Sequence, residues 1–454
     1  MQRGWLAHTN RWDILGSTLW LVVVAFLAYG TDRSEFQLLS LGLVVLFAGY
    51  FWVLGRRAEA WPYFLVVAVV ARLILLFAEP WLSDDIFRFI WDGHLWRAGI
   101  NPFSALPSEY ADQGFPVSGL SATLYGQLNS AEYFTIYPPI PQGTFWLSVW
   151  LFPQSIGGAT IVQRLGLLAA EVATVTWLLP KTLRLWGLSP ARTLLYALNP
   201  LVILEIVGNI HHEGYVVFFM VLALYGFRQK KWVGGGLALA GAVCAKLLPL
   251  MFAPFLWRRA GFKNGLILFL AMGIAMLLAF WPLYDPAFFY GFRNSIDLYF
   301  RRFEFNASIF YIIRWIGFEL RGYDIIRTVG PELAKVVLIA ILALAALEQR
   351  PRWANLPGRM LAAITIYLAL ATTVHPWYLT LPLFLCCFTR FRFPVVWSVL
   401  IMGTYINYSY PEYRENIAVV AIEYVVVYSV LLWEIVRRYR GKESWLLPKG
   451  GNAH

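Results

Sequence analysis

Long apolar runs recur along nearly the whole chain, and within them apolar residues follow one another without alternating with polar ones. A membrane-spanning helix needs about 20 such residues, whereas a membrane β-strand alternates apolar and polar positions. The pattern therefore excludes a β-barrel and predicts an all-α polytopic membrane protein with about 12–14 transmembrane helices. The runs begin near Ile14, Gln37, Trp61, Ile161, Thr193, Gly214, Val233, Gly265, Pro331, Met360, Trp377, Pro394 and Ile417.

One of these apolar runs is interrupted. Lys246 and Pro249 lie in the middle of the run from Val233 to Trp257, and basic residues flank both of its ends. A charge at membrane depth is costly, and non-helical backbone there has to line a cavity or be buried in protein. We therefore expect two short half-helices that meet near Lys246.

The charged residues between the runs assign sides to the chain. Basic residues concentrate in the cytoplasmic loops of polytopic proteins, and they flank both the first and the last run, so we expect both termini in the cytoplasm. One alternating path then places two long segments outside, 79–137 and 283–330, and the tail 437–454 inside, within a single membrane domain formed by residues 1–454. The net charge of +11 is explained by the basic residues of the predicted cytoplasmic loops. It therefore does not indicate a nucleic-acid-binding surface, and we expect no nucleic acid partner.

The composition narrows the class of protein further. Hydrophobic residues make up 59% of the chain and charged residues 14%, against about 25% charged residues in soluble domains. This balance excludes a water-soluble multidomain enzyme and a disordered protein. The chain has no GxxxxGK[ST] motif and no soluble domain for a nucleotide sugar, so an enzyme of this kind would take a lipid-borne donor from the bilayer.

The first long outer segment carries a pair of carboxylates, Asp84 and Asp85, directly after Ser83. We expect Ser83 to cap a helix that begins at Asp84, on which Asp85, Arg88 and Asp92 share one face. A paired carboxylate at a membrane surface can act as a general base or hold a divalent cation. The alternative is a salt-bridged interfacial helix anchored by its aromatic side chains. Those side chains are Phe87, Phe89, Trp91 and Trp96.

Further polar residues lie beside or within the apolar runs. His211, His212 and Glu213 stand between two short runs, where such groups are costly unless they are used or paired. Adjacent residues point to different helix faces, which disfavours a two-histidine metal site. Lys246 is a candidate phosphate ligand, with snorkelling to the interface as the alternative. His375 is a candidate lid or anchor residue.

The second long outer segment also contains candidate phosphate ligands. Arg301 and Arg302 are followed closely by Asn306, and the alternative for this stretch is an amphipathic surface segment. Trp377 and Tyr378, at the outer end of a later run, are interpreted as members of an aromatic belt.

Taken together, these segments resemble the GT-C superfamily of integral-membrane glycosyltransferases, and within it the bacterial polyprenyl-phosphate-mannose-type mannosyltransferases. The most specific parts of the resemblance are the block SDDIFRFIWDGHLWRAGINPF and the residues Tyr137-Pro138-Pro139. Weaker blocks follow in the family's order at 199–214, 245–249, 303–314 and 375–382.

The resemblance implies a GT-C fold, with interfacial helices in the first outer loop, in the plasma membrane of a bacterium. It implies a hexose donor carried on polyprenyl phosphate, with mannose as the expected sugar, a lipid-linked or glycan acceptor, and transfer on the outer face. An acidic residue of the first outer loop acts as base in such enzymes, which here means Asp84 or Asp85. Some members bind a divalent cation and others do not, so no cofactor is assigned.

The resemblance and the charge pattern together predict an inverting direct displacement, in which one carboxylate activates the acceptor hydroxyl. Of the pair, Asp84 is favoured as base because the first residue of a helix can point back toward the cavity, although the sequence leaves the choice open. The leaving phosphate requires cations, for which Lys246 and Arg301 or Arg302 are candidates. The predicted donor contacts also include Arg88, His211, His212, Glu213 and His375, and the predicted substrate-loop residues are Asp92, Tyr137 and Asn306.

A lipid or polysaccharide flippase or transporter is the alternative function. Such a protein is expected to carry charges inside several spans and an internal repeat, but no repeat is visible. The charges inside apolar runs are mainly Arg72, Arg164, Glu171, Lys335 and Glu423. A ligase similar to O-antigen ligases is a further alternative, and it would depend on Arg and His rather than on paired carboxylates.

Overall fold

The computed structural model describes residues 8–440, and these residues form helices and connecting loops. Within this range there is no β-strand, and an isolated parallel bridge joins Phe305 to Thr373. The all-α polytopic architecture predicted from the sequence is confirmed. Most of the tail predicted at 437–454, like the first seven residues, lies outside the described range.

Twenty-one α-helices follow one another along the described residues. They are α1 (Arg11–Gly30), α2 (Phe36–Trp52), α3 (Trp61–Ile74), α4 (Asp85–Arg97), α5 (Pro107–Asp112), α6 (Ala122–Tyr125), α7 (Pro139–Leu151), α8 (Ile156–Ala173), α9 (Leu179–Leu185), α10 (Leu194–Ala197), α11 (Pro200–Val202), α12 (Glu213–Arg228), α13 (Trp232–Ala245), α14 (Ala253–Phe280), α15 (Pro286–Arg301), α16 (Ile309–Arg321), α17 (Ile326–Ala346), α18 (Leu356–Leu370), α19 (Thr380–Cys386), α20 (Phe393–Leu400) and α21 (Ile417–Tyr439).

Short segments of 3₁₀- and π-helix extend or join these α-helices, and π segments often mark functional sites. The π segments are Val53–Arg57, Thr174–Leu178 and Ile203–Gly208. The 3₁₀ segments are Ala58–Ala60, Leu75–Phe77, Pro190–Thr193, Leu248–Phe252, Trp281–Leu283, Trp353–Asn355, Pro376–Leu379 and Ile401–Tyr408.

Six helical segments of the described chain are long and apolar enough to cross a membrane, or up to seven if a pair bent by 60° counts as one span. This number is lower than the predicted 12–14. One segment, Phe36–Phe77, contains two predicted runs, and other runs form helices of 10–17 residues. The six segments are Arg11–Gly30, Phe36–Phe77, Ile156–Leu185, Leu248–Leu283, Ile326–Ala346 and Ile417–Tyr439, and the bent pair is Pro190–Ala197 with Pro200–Gly208.

The predicted break at Lys246 is confirmed. Helix α13 ends at Ala245, Lys246 has an extended backbone, and the next helical turn begins at Leu248. Helix α14 bends again at Gly261, whose φ of 74° is readily adopted only by glycine. The chain therefore passes through two short helical arms that leave the Lys246 side chain between them.

Helix α4 begins one residue later than predicted, at Asp85, and Asp84 is its N-cap residue. The Ser83 hydroxyl accepts a hydrogen bond from the Asp85 amide at 3.3 Å. Two of the four aromatic side chains of this helix, Trp91 and Phe89, are buried, whereas Phe87 and Trp96 are partly exposed. The helix packs on α7, where the Phe89 ring stacks on that of Phe145.

A buried arginine holds the segment that leads to the two histidines. Arg164 on α8 donates hydrogen bonds to the carbonyl oxygens of Val207 and Gly208, both at 2.8 Å, and to that of Leu76 at 2.9 Å. These carbonyl groups lie at the ends of the helical segments that precede the Asp84–Asp85 loop and the Asn209–His212 loop. The planar guanidinium group of Arg164 supplies hydrogen bonds to carbonyl groups that the helices leave unpaired. It thereby fixes the two loops relative to each other.

Candidate active site

Asp85 and Asp84 have different surroundings. The Asp85 carboxylate accepts a hydrogen bond from Asn129 Nδ2 at 3.0 Å and a longer one from the Tyr137 hydroxyl at 3.4 Å. Asp84 forms an ion pair with Arg33, whose guanidinium group lies 4.6 Å from the centre of the Tyr408 ring. One carboxylate therefore has neutral partners, and the other has a cationic partner.

Arg88 and Asp92 stabilise the first outer loop. Arg88 Nε donates to Asp92 at 2.9 Å, and its Nη1 donates to the carbonyl oxygens of Ser130 and Tyr133. The other Asp92 oxygen accepts from Gln142 on α7 at 3.0 Å. Both charged residues are buried, and their hydrogen bonds join α4, α7 and the segment before Tyr137.

The loop between Gly208 and Glu213 is tied to the carboxylate-bearing loop by Asn209. Its side-chain oxygen accepts from the Leu82 amide at 3.0 Å, and its amide group donates to the Leu204 carbonyl. The next residue, Ile210, has a φ of 60°, a backbone conformation that is uncommon for a β-branched residue. Such conformations persist where the surrounding structure enforces them, often at functional sites.

The two adjacent histidines point into different environments. The His212 ring packs against Phe89 and Phe145, with ring centres 4.9 and 5.3 Å away. Burial lowers the pKa of His212 to about 3, and the charges of His211 and Lys246 act in the same direction. His212 is therefore a neutral packing residue between α4, α7 and α12.

Lys246 and Glu213 form an ion pair at the break between the helical arms. Lys246 Nζ also lies 4.1 Å from the centre of the Tyr378 ring, which gives the ammonium group a cation–π contact. Glu213 is buried, whereas the Lys246 side chain keeps 32% of its surface exposed. The lysine can therefore reach a ligand while its charge is balanced.

His375 belongs to a stack of four rings. Its ring is parallel to that of Trp377 within 3°, at 4.5 Å, and lies 4.7 Å from Phe305. Trp377 also stacks on His211, with ring centres 3.7 Å apart. Burial lowers the pKa of His375 to about 3, and the charges of Lys246 and His211 contribute. The expectation that Trp377 and Tyr378 form an outward aromatic belt is wrong, because both pack inside the site.

The structure brings six of the thirteen predicted site residues together. The charges of Asp85 and Glu213 act on His211, and those of Lys246 and His211 act on His375, so these groups share one region. We name it the central cluster, and it consists of Asp85, Tyr137, His211, Glu213, Lys246 and His375.

Three predicted residues, Arg301, Arg302 and Asn306, are not members of the central cluster. Arg301 pairs with Asp297 at 2.6 Å and donates to the Arg327 carbonyl, and Arg302 is exposed after the end of α15. Asn306 is fully buried, and its side chain donates to Glu423 at 3.1 Å. Asn306 thus fixes the short extended segment that brings Phe305 beside His375.

Sequence reasoning missed two charged residues of this region. Glu205 is fully buried next to His211, and its position as a single acid inside an apolar run was a usable signal. Arg33 lies in a short polar turn between α1 and α2, and nothing in that turn distinguished it. Among residues 8–440, no group of three or more His, Cys, Asp or Glu side chains has an arrangement that could hold a metal ion.

The chain is similar to alpha-(1->6)-mannopyranosyltransferase A of Corynebacterium glutamicum, with 24% identity over 53% of this chain and 50% of the relative. It is also similar to alpha-(1->6)-mannopyranosyltransferase A of Mycobacterium tuberculosis, with 24% identity over 50% of this chain and 44% of the relative. The chain thus spans about half the length of the curated relatives it matches.

The family model described as alpha-(1->6)-mannopyranosyltransferase, N-terminal domain, matches residues 2–261. That range contains the carboxylate pair, both adjacent histidines and Lys246, whereas His375 and the second outer segment lie beyond it. Because the match covers more than half of the chain, the protein belongs to this mannopyranosyltransferase family.

Proposed function

We propose that this protein transfers mannose from a polyprenyl-phosphate donor to a lipid-linked or glycan acceptor on the outer face of a bacterial plasma membrane. Family membership supports the sugar. The observation that carries the chemistry is the central cluster, in which a carboxylate with neutral partners lies in the same region as an ammonium group and a buried histidine. Proton removal and stabilisation of a departing phosphate are the two tasks of such a transfer.

The carboxylate that acts as base is Asp85. Its carboxylate accepts a hydrogen bond from Tyr137 of the central cluster, and its charge contributes to the raised pKa of His211. The carboxylate of Asp84 is instead engaged by Arg33 at the edge of the site. Asp85 accepts the proton of the acceptor hydroxyl while that oxygen attacks the anomeric carbon from the face opposite the phosphate. The bond from the anomeric carbon to the phosphate oxygen breaks, and the anomeric configuration inverts.

The departing polyprenyl phosphate carries negative charge that the site has to balance. Lys246 is the exposed cation of the central cluster, and a charged donor of this kind forms strong hydrogen bonds with phosphate oxygens. Glu213 and Tyr378 hold the ammonium group in place before the donor binds. Groups that are positioned in advance do not have to reorganise as the charge develops.

The buried charges support a transferase rather than a transporter. Arg72 pairs with Glu171 at 2.9 Å, and Arg164 binds three backbone carbonyls. Glu423 accepts from Trp397 at 2.6 Å. Arg72, Glu171 and Arg164 thus have their partners within the fold, which favours structural roles for these charges over a relay along a transport path.

Purified protein supplied with mannose-labelled polyprenyl phosphate and an acceptor extract tests the proposal. We expect Asp85→Asn to lose about 10²–10⁴-fold in turnover, the range typical of a positioned base. Asp84→Asn should lose less, because that carboxylate acts on the site through Arg33. Asp112→Asn, an exposed acid of the same outer loop, serves as the matched control and should keep wild-type turnover. Wild-type turnover by Asp85→Asn would reject the assignment.

A further inference from the structure

Glu205 lies directly behind His211, on the π segment that ends at Gly208. Nδ1 of His211 is 2.9 Å from the Glu205 carbonyl oxygen and 3.3 Å from its carboxylate oxygen Oε2. Both of these atoms are hydrogen-bond acceptors, so Nδ1 carries a proton. The second carboxylate oxygen accepts from the Tyr405 hydroxyl, which fixes the carboxylate on that side of the ring.

The other ring nitrogen of His211 faces away from Glu205. Nε2 is buried and makes no hydrogen bond to any residue in the range 8–440. A buried polar atom without a partner is costly, and a ligand oxygen beside Nε2 of His211 would supply the missing hydrogen bond. The imidazole ring cannot easily turn, because Trp377 stacks on it at 3.7 Å with an angle of 13°.

The surroundings favour a charged ring at this position. Burial lowers the pKa of His211, but the hydrogen bond and charge of Glu205, followed by the charges of Glu213 and Asp85, raise it above the ordinary value. Lys246 is the opposing cation, and its charge is balanced by Glu213. Stacking on an indole ring also favours a cation. His212 and His375, the two other histidines of the region, are neutral, since burial lowers the pKa of each.

We propose that Glu205 is a positioning residue that keeps His211 protonated, with its Nε2–H directed at the phosphate of the donor. This inference rests on the proposed function, because it takes that phosphate as the partner of His211. The imidazolium would donate a hydrogen bond to the phosphate oxygen from which the sugar departs. A charge-assisted hydrogen bond supplied from a fixed ring stabilises the leaving group without any movement of the site.

The test combines spectroscopy with a pH profile. The chain has six histidines, so ¹⁵N-histidine NMR spectra of the full-length protein can be assigned with a His211→Asn variant. We expect His211 to be protonated at both nitrogens at pH 7 in the wild type and to lose this charge in Glu205→Gln. In Glu205→Gln, the alkaline limb of the pH profile of turnover should move to lower pH by about 1–3 units, which is the effect of one nearby opposite charge on a pKa. The sign follows because removing the carboxylate lowers the pKa of His211.

Two further variants separate a specific effect from general damage. Glu205→Asp keeps the charge and should restore most of the alkaline limb. Glu423→Gln changes a different fully buried carboxylate, whose partners Asn306 and Trp397 are neutral, and it should leave the limb in place. A wild-type His211 that is neutral at pH 7 would overturn the inference even if Glu205→Gln fails to fold. Because NMR needs no substrate, a protein that shows the charged His211 without mannose transfer would contradict the proposed function and leave the pairing with Glu205 supported.

Discussion

A lysine between two helical arms is stable only if its charge has a partner. Lys246 has two, the carboxylate of Glu213 and the face of Tyr378, and it nevertheless keeps part of its surface exposed. Snorkelling to the interface would require neither contact. The pair therefore fits the phosphate site that we propose, since Glu213 balances the charge of Lys246 before a phosphate binds.

Replacement of this lysine should weaken binding of the lipid phosphate. We expect Lys246→Met to raise the dissociation constant for polyprenyl phosphate about 10–100-fold, because a hydrogen bond from a charged group contributes about 1.5–3 kcal/mol. The buried Glu213 would lose its partner, so the double variant Lys246→Met/Glu213→Gln provides a second measurement with balanced charge. Lys335→Met, which breaks the exposed pair with Glu332, should leave the affinity unchanged. Unchanged affinity in the double variant would contradict the assignment.

At the scale of single residues, the sequence predicted which side chains are candidates for catalysis or binding, but it did not predict which residues they contact. Asp85, Glu213 and Lys246 could be selected because charged residues stand out beside apolar runs. The pairing of Asp84 with Arg33 could not be predicted, because the two residues are 51 positions apart. That contact changes the expected base from Asp84 to Asp85, and only the three-dimensional arrangement contains it.

The position of the base depends on how two helices approach each other. Helix α4 begins at Asp85, and it packs on α7 through Gly93. A Cβ atom at Gly93 would lie 2.5 Å from the carbonyl oxygen of Phe145, which is backbone and cannot rotate away. The hydrogen bonds of Gln142 to Trp96 and Asp92 lie in the same interface.

Gly93→Ala should therefore lower both stability and turnover. A methyl group at this contact separates α4 from α7, and overpacking of this kind costs about 1–3 kcal/mol. Gly143→Ala, on α7 itself, is the matched control because nothing lies within 4 Å of its added Cβ. Alanine in an open helical position gains up to about 1 kcal/mol over glycine. Thermal unfolding in detergent measures the difference, and equal unfolding temperatures for the two variants would refute the close-packed interface.

The limits of sequence reasoning at this scale have a physical cause. The sequence around α4 shows where the helix begins, because the capping residue and the spacing of polar side chains determine its N-terminus. It does not show whether the helix lies on a membrane or inside the protein, since its aromatic residues suit both places. The decisive partner, α7, comes from a separate segment beginning at Pro139, and the packing of Phe89 on Phe145 appears only in the fold.

Across the whole molecule, the ion pairs between distant segments agree with the alternating path. Arg33, after α1, meets Asp84, after α3, whereas Asp13 at the start of α1 meets Arg57 between α2 and α3. The two ends of α1 thus have different partners, one in each set of predicted loops. Arg259 and Glu348, which the path assigns to one side, also pair at 2.7 Å. These contacts divide the loops into the two sets that the path places on opposite sides of the membrane, but they do not show which set is cytoplasmic.

Thiol labelling of intact cells assigns the two sets to sides of the membrane. We expect a membrane-impermeant maleimide to label Gln113→Cys, in the first outer segment, and not Arg56→Cys, because basic loops stay in the cytoplasm. Both positions are exposed, so accessibility does not distinguish them. The native thiols of Cys244, Cys386 and Cys387 are buried, which keeps the background low.

Permeabilised cells provide the control for this experiment, since both engineered thiols should then react at similar rates. Labelling of Arg56→Cys in intact cells, with Gln113→Cys protected, would invert the path and place the central cluster on the cytoplasmic side. Because Arg33 and Asp84 are in contact, a single-cysteine variant in the turn before α2 has to label together with Gln113→Cys. An intermediate pattern, in which the two outer positions differ, would contradict the fold itself and not only its orientation.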